Sequence, residues 1–193
     1  LEQLQDELQT LLDQASSGSL WEEPAFAGVE PAYRELRDIS FSGDGEPTTC
    51  PQFREACQLA AEAQQRSGLR KLKVVVITNA TMLDRPGVEE GLALLDRHQG
   101  EVWAKLDAGS ENYFQQVCRA RVSLARVLRN LARCGARRPL VIQSLFLRLH
   151  GRPVSDAEFS AYTARLQWLL DQGCRLQRVQ LYTVARPPAE SFV

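Results

Sequence analysis

Histidine is scarce in this chain. Only His98 and His150 occur among 193 residues, and neither has a partner at metal-ligand spacing. The five cysteines, Cys50, Cys57, Cys118, Cys134 and Cys174, are odd in number and lack close pairing. That pattern argues against a disulfide framework and for reduced thiols. Cys50 and Cys57 stand seven apart on one helical pattern and the other three are scattered, so all five read as structural or surface thiols and the chain offers no metal ligands. No nucleophile elbow, P-loop or dinucleotide fingerprint occurs. No apolar run approaches the length of a membrane span, and no signal peptide opens the sequence. With reduced thiols, this predicts a cytoplasmic protein. An excess of either charge is also missing. Lys and Arg number 23 against 24 Asp and Glu, with a pI near 6.2, which does not recommend a nucleic-acid binder. Locally, Arg119, Arg121, Arg126, Arg129, Arg133, Arg137 and Arg138 bias the middle of the chain toward the basic. A solvated helix face is the favoured reading and an RNA-facing patch the minor one. Leu1 opens the sequence inside a helical pattern and Glu190-Ser191-Phe192-Val193 carries no stop signal. The expectation is a fragment of a larger protein.

What is present is a repeated strand–turn–helix pattern. Leu1, Leu4, Leu8, Leu11 and Leu12 recur at helical spacing, and Ser16-Ser17-Gly18-Ser19 ends that helix. Residues 1–18 are thus a helix, 19–33 a loop with Trp21, Pro24, Gly28 and Pro31, and 34–193 a series of βα units in one domain. Five apolar runs read as strands: Ile39–Phe41, Lys73–Thr78, Val102–Leu106, Leu140–Phe146 and Val179–Val184. Between them, Thr48 or Thr49 is expected to cap a helix with Pro51 in its first turn, lined by Phe53, Cys57 and Ala60 or Ala61 and ended by Gly68. Asp84 and Pro86 open the next, with Val88, Leu92 and Leu95 inside. A short helix covers Glu111–Val117. Leu124, Val127, Leu128 and Leu131 line another, which Gly135 is expected to stop. Ser155-Asp156-Ala157-Glu158 reads as a capping box before Phe159, Tyr162, Leu166, Leu169 and Leu170. Strand midpoints recur about every 30–40 residues, the span of a βα unit, so right-handed crossovers predict a parallel α/β sheet.

Parallel sheets build ligand sites from the ends of their strands, and here those ends are polar. Ser42-Gly43-Asp44-Gly45-Glu46-Pro47-Thr48 follows the first strand. Its two glycines permit positive φ and close approach to a ligand, and Glu46 offers a carboxylate to a cation such as an ammonium. A plain acidic turn is the competing explanation. Thr78 and Asn79 end the second strand with a hydroxyl and an amide, or with an Asn that caps its own backbone. Lys105 and Asp107, two apart at the end of the third, share a face. They are either a structural ion pair or a ligand contact. Gln143 and Ser144 interrupt the fourth strand. Tyr182 and Arg186 end the fifth, where they suit an adenine ring or, for Tyr182, the core.

The Ser-Gly-Asp-Gly-Glu-Pro-Thr turn, with Thr78-Asn79 and Lys105-Leu106-Asp107, resembles the radical S-adenosylmethionine (SAM) superfamily over about Arg37 to Pro188. The form Ser-Gly-x-Gly-Glu-Pro resembles most the branch related to tRNA wyosine-base enzymes. The resemblance implies a partial (βα)6 TIM-like barrel in which the five strands are the second to the sixth and the first is missing. It implies SAM bound by Ser42, Gly43, Asp44, Gly45, Glu46, Thr78, Asn79, Lys105, Asp107, Gln143, Ser144, Tyr182 and Arg186, with Glu46 near the methionine amino group. Lys105 stands where family members carry serine. It further implies a [4Fe-4S] cluster, a one-electron reductant, and reductive cleavage of SAM to a 5′-deoxyadenosyl radical that takes hydrogen from a substrate. The superfamily's Cys-x3-Cys-x2-Cys motif is absent, so the cluster ligands are expected before Leu1 and this chain alone is expected to be inactive. No residue here is assigned as acid, base or radical site, and the substrate is not readable. Two alternatives stand beside this: a cluster-less barrel acting as a binding or interaction module, and an unrelated barrel enzyme using Lys105, Asp107 and Glu46 for acid–base work. Open sheet edges predict self-association of the chain.

Overall fold

The computed structural model describes residues 1–193 except Asp44, Arg186, Ala189 and Ser191. Six α-helices and five strands alternate among the described residues: α1 (Glu2–Ser17), β1 (Asp38–Phe41), α2 (Phe53–Ser67), β2 (Lys73–Thr78), α3 (Pro86–Leu95), β3 (Gly100–Lys105), α4 (Glu111–Cys118), α5 (Leu124–Arg137), β4 (Leu140–Leu145), α6 (Asp156–Asp171) and β5 (Leu176–Tyr182). The strands form one parallel sheet in the order β1-β2-β3-β4-β5, with β1 and β5 as its edges. The expected α/β architecture of five parallel strands is therefore present, and the sheet is not closed into a barrel.

The chain divides into two compact units, residues 1–76 with 86–101, and residues 77–85 with 102–193. In the first, α1 packs through Leu12, which joins Ala63 of α2 and Leu72 in a small core flanked by Leu8, Leu36, Ile39 and Leu69. Leu4 and Leu11 of the same helix, and Leu1 at its N-cap, remain exposed. Gly18 and Gly68, at φ 87° and 67°, end α1 and α2 in the left-handed conformation that glycine adopts without a Cβ clash. Phe53, Cys57, Ala60 and Ala61 are buried along α2 as their spacing predicts. Gln64, a polar residue on that buried side, is satisfied by donating Nε2 to Leu72 O at 2.9 Å.

The second unit buries Val102 and Ala104 of β3, Leu140, Val141 and Ile142 of β4, and Leu124, Val127, Leu128 and Leu131 of α5. Between Leu140 and Val141 the β4–β5 register slips, leaving Gln177 unpaired in a bulge on the edge strand.

Four local expectations are corrected. Gly135 does not stop α5, which runs on to Arg137. A Cβ there would lie 2.0 Å from Cys174 Sγ, so the glycine admits the α6–β5 connection against the helix. Its carbonyl accepts from Arg175 N at 3.0 Å. Neither Thr48 nor Thr49 caps α2. Its N-cap is Gln52, and Glu46 caps a separate 3-10 turn, Pro47–Thr49. Only half of the Ser155–Glu158 box forms: Ser155 Oγ accepts from Glu158 N, while the Glu158 carboxylate goes elsewhere. The apolar stripe of α6 is also narrower than its spacing suggests, with Tyr162 and Leu169 buried but Phe159 and Leu170 exposed.

Candidate functional site

In the first unit, β1 ends at Phe41 and the chain turns through Gly43 at φ 135°, a conformation that L side chains rarely adopt. Asp44 lies outside the described residues. Ser42 and Gly45 are exposed. Glu46 Oε1 accepts from Thr48 Oγ1 at 2.6 Å and from Thr48 N at 3.2 Å. Thr48 is itself buried, so the carboxylate is held by a fixed neighbour rather than left to wander. Thr49 Oγ1 donates to Glu46 O at 2.7 Å and closes the turn. A carboxylate oriented in this way at the end of a strand suits a cationic group.

In the second unit, Thr78 is buried, and its Oγ1 accepts from Ala80 N at 3.0 Å. Asn79 Oδ1 accepts from Thr81 N at 3.0 Å, so both side chains shape the turn after β2. That turn is tight: Ala80 has φ 61°, and its carbonyl accepts from Asn130 Nδ2 of α5 at 2.8 Å.

The ends of β3, β4 and β5 are woven together beyond the ladder. Leu106 N donates to Gln143 O at 3.0 Å and Phe146 N to Tyr182 O at 2.9 Å. Asp107 Oδ1 accepts from Leu145 N at 2.7 Å. Burial pushes the Asp107 carboxyl above the usual carboxylate range, against the opposing pull of the Leu145 N–H and the Lys105 charge. Lys105 is exposed, and among the described residues it forms no ion pair with Asp107. Register aligns Lys105 with Gln143 and Gln143 with Gln180, so these side chains share one face with Tyr182 two residues on. Gln143 Nε2 donates to Gln180 Oε1 at 3.0 Å. The Tyr182 phenol is pushed up to about 12, first by burial and then by the Asp107 and Cys118 charges.

Ser144 points the opposite way. It is fully buried, donates Oγ to Leu106 O at 2.7 Å, and shares a 2.7 Å hydrogen bond with Tyr162 Oη of α6. Its role in this structure is to tie β4 to the helix behind it. Arg186 lies outside the described residues. The structure thus gathers Lys105, Asp107, Gln143 and Tyr182 at one end of β3–β5.

Spacing did not reveal Glu158. Its carboxylate accepts from Gly109 N at 2.6 Å, from Ser110 N at 3.1 Å and from Ser110 Oγ, clamping the loop that follows Asp107. Arg165 Nε adds a bond to Gly109 O at 2.9 Å. The capping-box pattern concealed this clamp, because the same Glu would otherwise be spent on its own helix. On α5 the exposed Arg129, Arg133 and Arg137 lie at helical spacing, Arg126 reaches Asp84 at 3.2 Å, and Arg138 is buried beside Cys134. A mostly solvated basic helix face describes them.

No protein-family model matches this chain, and no curated protein is significantly similar to it. Solved structures are similar. One is TYW1 with a lysine-pyruvate adduct bound, 15% identical with a TM-score of 0.50 over 100% of this chain and 56% of that chain. Another is a domain of pyruvate-formate lyase-activating enzyme from Bacteroides vulgatus, 16% identical with a TM-score of 0.40 over 72% of this chain and 97% of that domain. The TYW1 match is a likeness of fold, and this chain spans little more than half of that protein.

Proposed function

We propose that this chain is the greater part of a radical SAM barrel domain, with SAM taken up along the C-terminal ends of the strands. The observation that carries this reading is the arrangement of the polar motifs. In the second unit Thr78-Asn79, Lys105–Asp107, Gln143 and Tyr182 stand at or near the ends of β2, β3, β4 and β5 of one parallel sheet, where such folds place their ligands, and in the first unit Glu46 follows β1. The fold likeness to TYW1, itself a radical SAM enzyme, supports the same assignment. Together with the Ser-Gly-x-Gly-Glu-Pro form of the turn, it favours the branch related to tRNA wyosine-base enzymes. A tRNA partner and a cytoplasmic location belong to this proposal. For the membrane, the finding is that no described helix is long and apolar enough to cross one.

The donor set fits SAM in part. Glu46, steadied by Thr48, would face the ammonium of the methionine moiety. Asp107 and Gln143 offer oxygen and amide groups, and Tyr182 a flat ring, to the nucleoside. When bound, SAM would supply the radical chemistry, and this chain's residues would bind, orient and shield it. The residues do not fit the [4Fe-4S] cluster. Cys57 is buried in the first unit and Cys134 and Cys174 in the second, and no group of three or more metal-ligating side chains gathers among the described residues. The ligands of such a cluster would come from outside these residues.

The test is SAM titration by calorimetry in the cluster-loaded parent protein. Glu46→Gln keeps size and the Thr48 contact but removes the charge. Loss of a charge-assisted hydrogen bond of about 1.5–3 kcal/mol weakens binding roughly tenfold to a hundredfold. Unchanged affinity with an intact fold would reduce the turn to architecture.

A further inference from the structure

Outside the strand-end residues, the second unit holds a second constellation. After β4 the chain makes a tight reversal in which Leu149 and Arg152 exchange hydrogen bonds, Leu149 N to Arg152 O at 3.0 Å and Arg152 N to Leu149 O at 2.9 Å. The two central residues, His150 and Gly151, have φ 51° and 75°, as a primed turn requires. Glycine takes that conformation readily; histidine does so at a cost. The turn presents the His150 imidazole at its tip. The end of α4 does something similar. Arg119 takes φ 47° as the helix C-cap and extends its guanidinium. Two non-glycine residues held in the left-handed region, from separate elements, converge on one group, and backbone strain of this kind concentrates at functional sites.

That group is Phe192. Its ring stacks on His150 with centroids 4.9 Å apart and planes 20° from parallel. Arg119 Cζ lies 5.7 Å from the centroid of the same ring. The Phe192 carbonyl accepts from His150 N at 2.7 Å, and the Glu190 carboxylate accepts from Arg119 Nη1 at 2.7 Å. A flat ring stacked on an imidazole and within reach of a guanidinium, with a carboxylate on the same arginine, presents the contacts that an aromatic anion would make. Beside it lies a cavity of about 530 Å³ lined by Tyr113, Gln116, His150, Arg152 and Glu158, within the size range of small-ligand sites.

We propose that Arg119 and His150 form a binding slot for a flat aromatic ligand carrying an anionic group, which Glu190 and Phe192 fill when no such ligand is present. The slot is separate from the strand-end SAM reading and stands whether or not that reading does. The shared chemistry is a π-face for His150 and Arg119 and a phosphate or carboxylate for Arg119. A pyrimidine nucleoside monophosphate and an aryl carboxylate both provide it.

The experiment uses uridine 5′-monophosphate and indole-3-acetate as probes, titrated by calorimetry into the purified chain, into F192A, and into F192A combined with R119A. Circular dichroism confirms that each variant is folded. Removing Phe192 vacates the ring position, so F192A is expected to bind at least one probe about tenfold tighter than the unaltered chain, from the modest ring and charge contacts relinquished. Adding R119A should cancel that gain. Tighter binding of the nucleotide alone identifies phosphate as the anion; tighter binding of indole-3-acetate alone identifies a carboxylate. H150A in the F192A background should weaken the winning probe as well. The proposal is overturned if folded F192A binds neither probe more tightly than the unaltered chain, or if the gain persists undiminished without Arg119.

Discussion

Gly109→Ala tests the clamp behind Asp107 more sharply than any change of a polar group. A Cβ on residue 109 would sit 2.0 Å from Tyr162 N, 2.3 Å from Ala161 C and 2.5 Å from Tyr162 Cα. All three are backbone atoms of α6, so no side-chain rotation relieves the overlap. Ordinary contact needs about 3.5 Å, and the loop or the helix must therefore yield by roughly 1–1.5 Å. The same movement stretches the bonds that Glu158 accepts from Gly109 N and Ser110 N, and the bond from Arg165 Nε to Gly109 O. Overpacking costs about 1–3 kcal/mol, and loss of a charged hydrogen bond about 1.5–3 kcal/mol. A destabilisation on the order of 3–5 kcal/mol is expected, read as a shift in the urea midpoint by tryptophan fluorescence. Gly87→Ala is the control. It lies in α3 with nothing within 4 Å of the added Cβ, and should be neutral or stabilising by up to about 1 kcal/mol. If Gly109→Ala unfolds within about 0.5 kcal/mol of the unaltered chain, the close approach of loop and helix is not as described.

Ser144→Ala strands the Tyr162 hydroxyl in the interior and should cost about 1–3 kcal/mol in chemical denaturation, while adding Tyr162→Phe should recover part of it. Thiol labelling at pH 8 should find exposed Cys50 reacting first and buried Cys57, Cys134 and Cys174 only on unfolding; equal rates would contradict their burial. Burial raises Cys57 and Cys118 to about 12 and Cys174 to about 11, from an ordinary 9.0. The folded state then keeps protons that the unfolded state releases, so stability is complete below pH 9 and falls as pH climbs toward 11–12, measurable by thermal melts across that window. On the edge strand Leu181 is 61% exposed, and Leu181→Asp should abolish any concentration-dependent association seen by sedimentation; association that survives the change would place the contact elsewhere.

The five strands were legible because each is a short apolar run bounded by polar or small residues, a signal that needs no tertiary information. Gly18 and Gly68 were legible as helix ends for the same local reason. Gly135 was not, because what fixes it is Cys174, 39 positions away, pressing on the helix where a Cβ would be. Glu158 likewise satisfied a local pattern while answering a distant demand, the amides of Gly109 and Ser110. At the strand ends the residue types could be chosen from sequence, but not the split between Gln143 and Ser144. Adjacent positions on a strand face opposite sides, and only the register with Gln180 and the Tyr162 contact say which is which. His150 gave no signal at all, since its partners Arg119 and Phe192 are 31 and 42 residues away.

The identity of strand order and chain order has a consequence for how the molecule is made. Each strand hydrogen-bonds to the one synthesised just before it, so every closure spans one connection, of one helix or, between β3 and β4, of two, and none waits for a later segment. Loop-closure entropy grows slowly with length, and chains dominated by near-neighbour contacts fold faster than those that must pair remote strands. A ribosome delivering this sequence would let β2 dock on β1 while β3 is still unmade, and so on to β5, so that each new strand is received by the one made just before it while β1 stays the opposite edge.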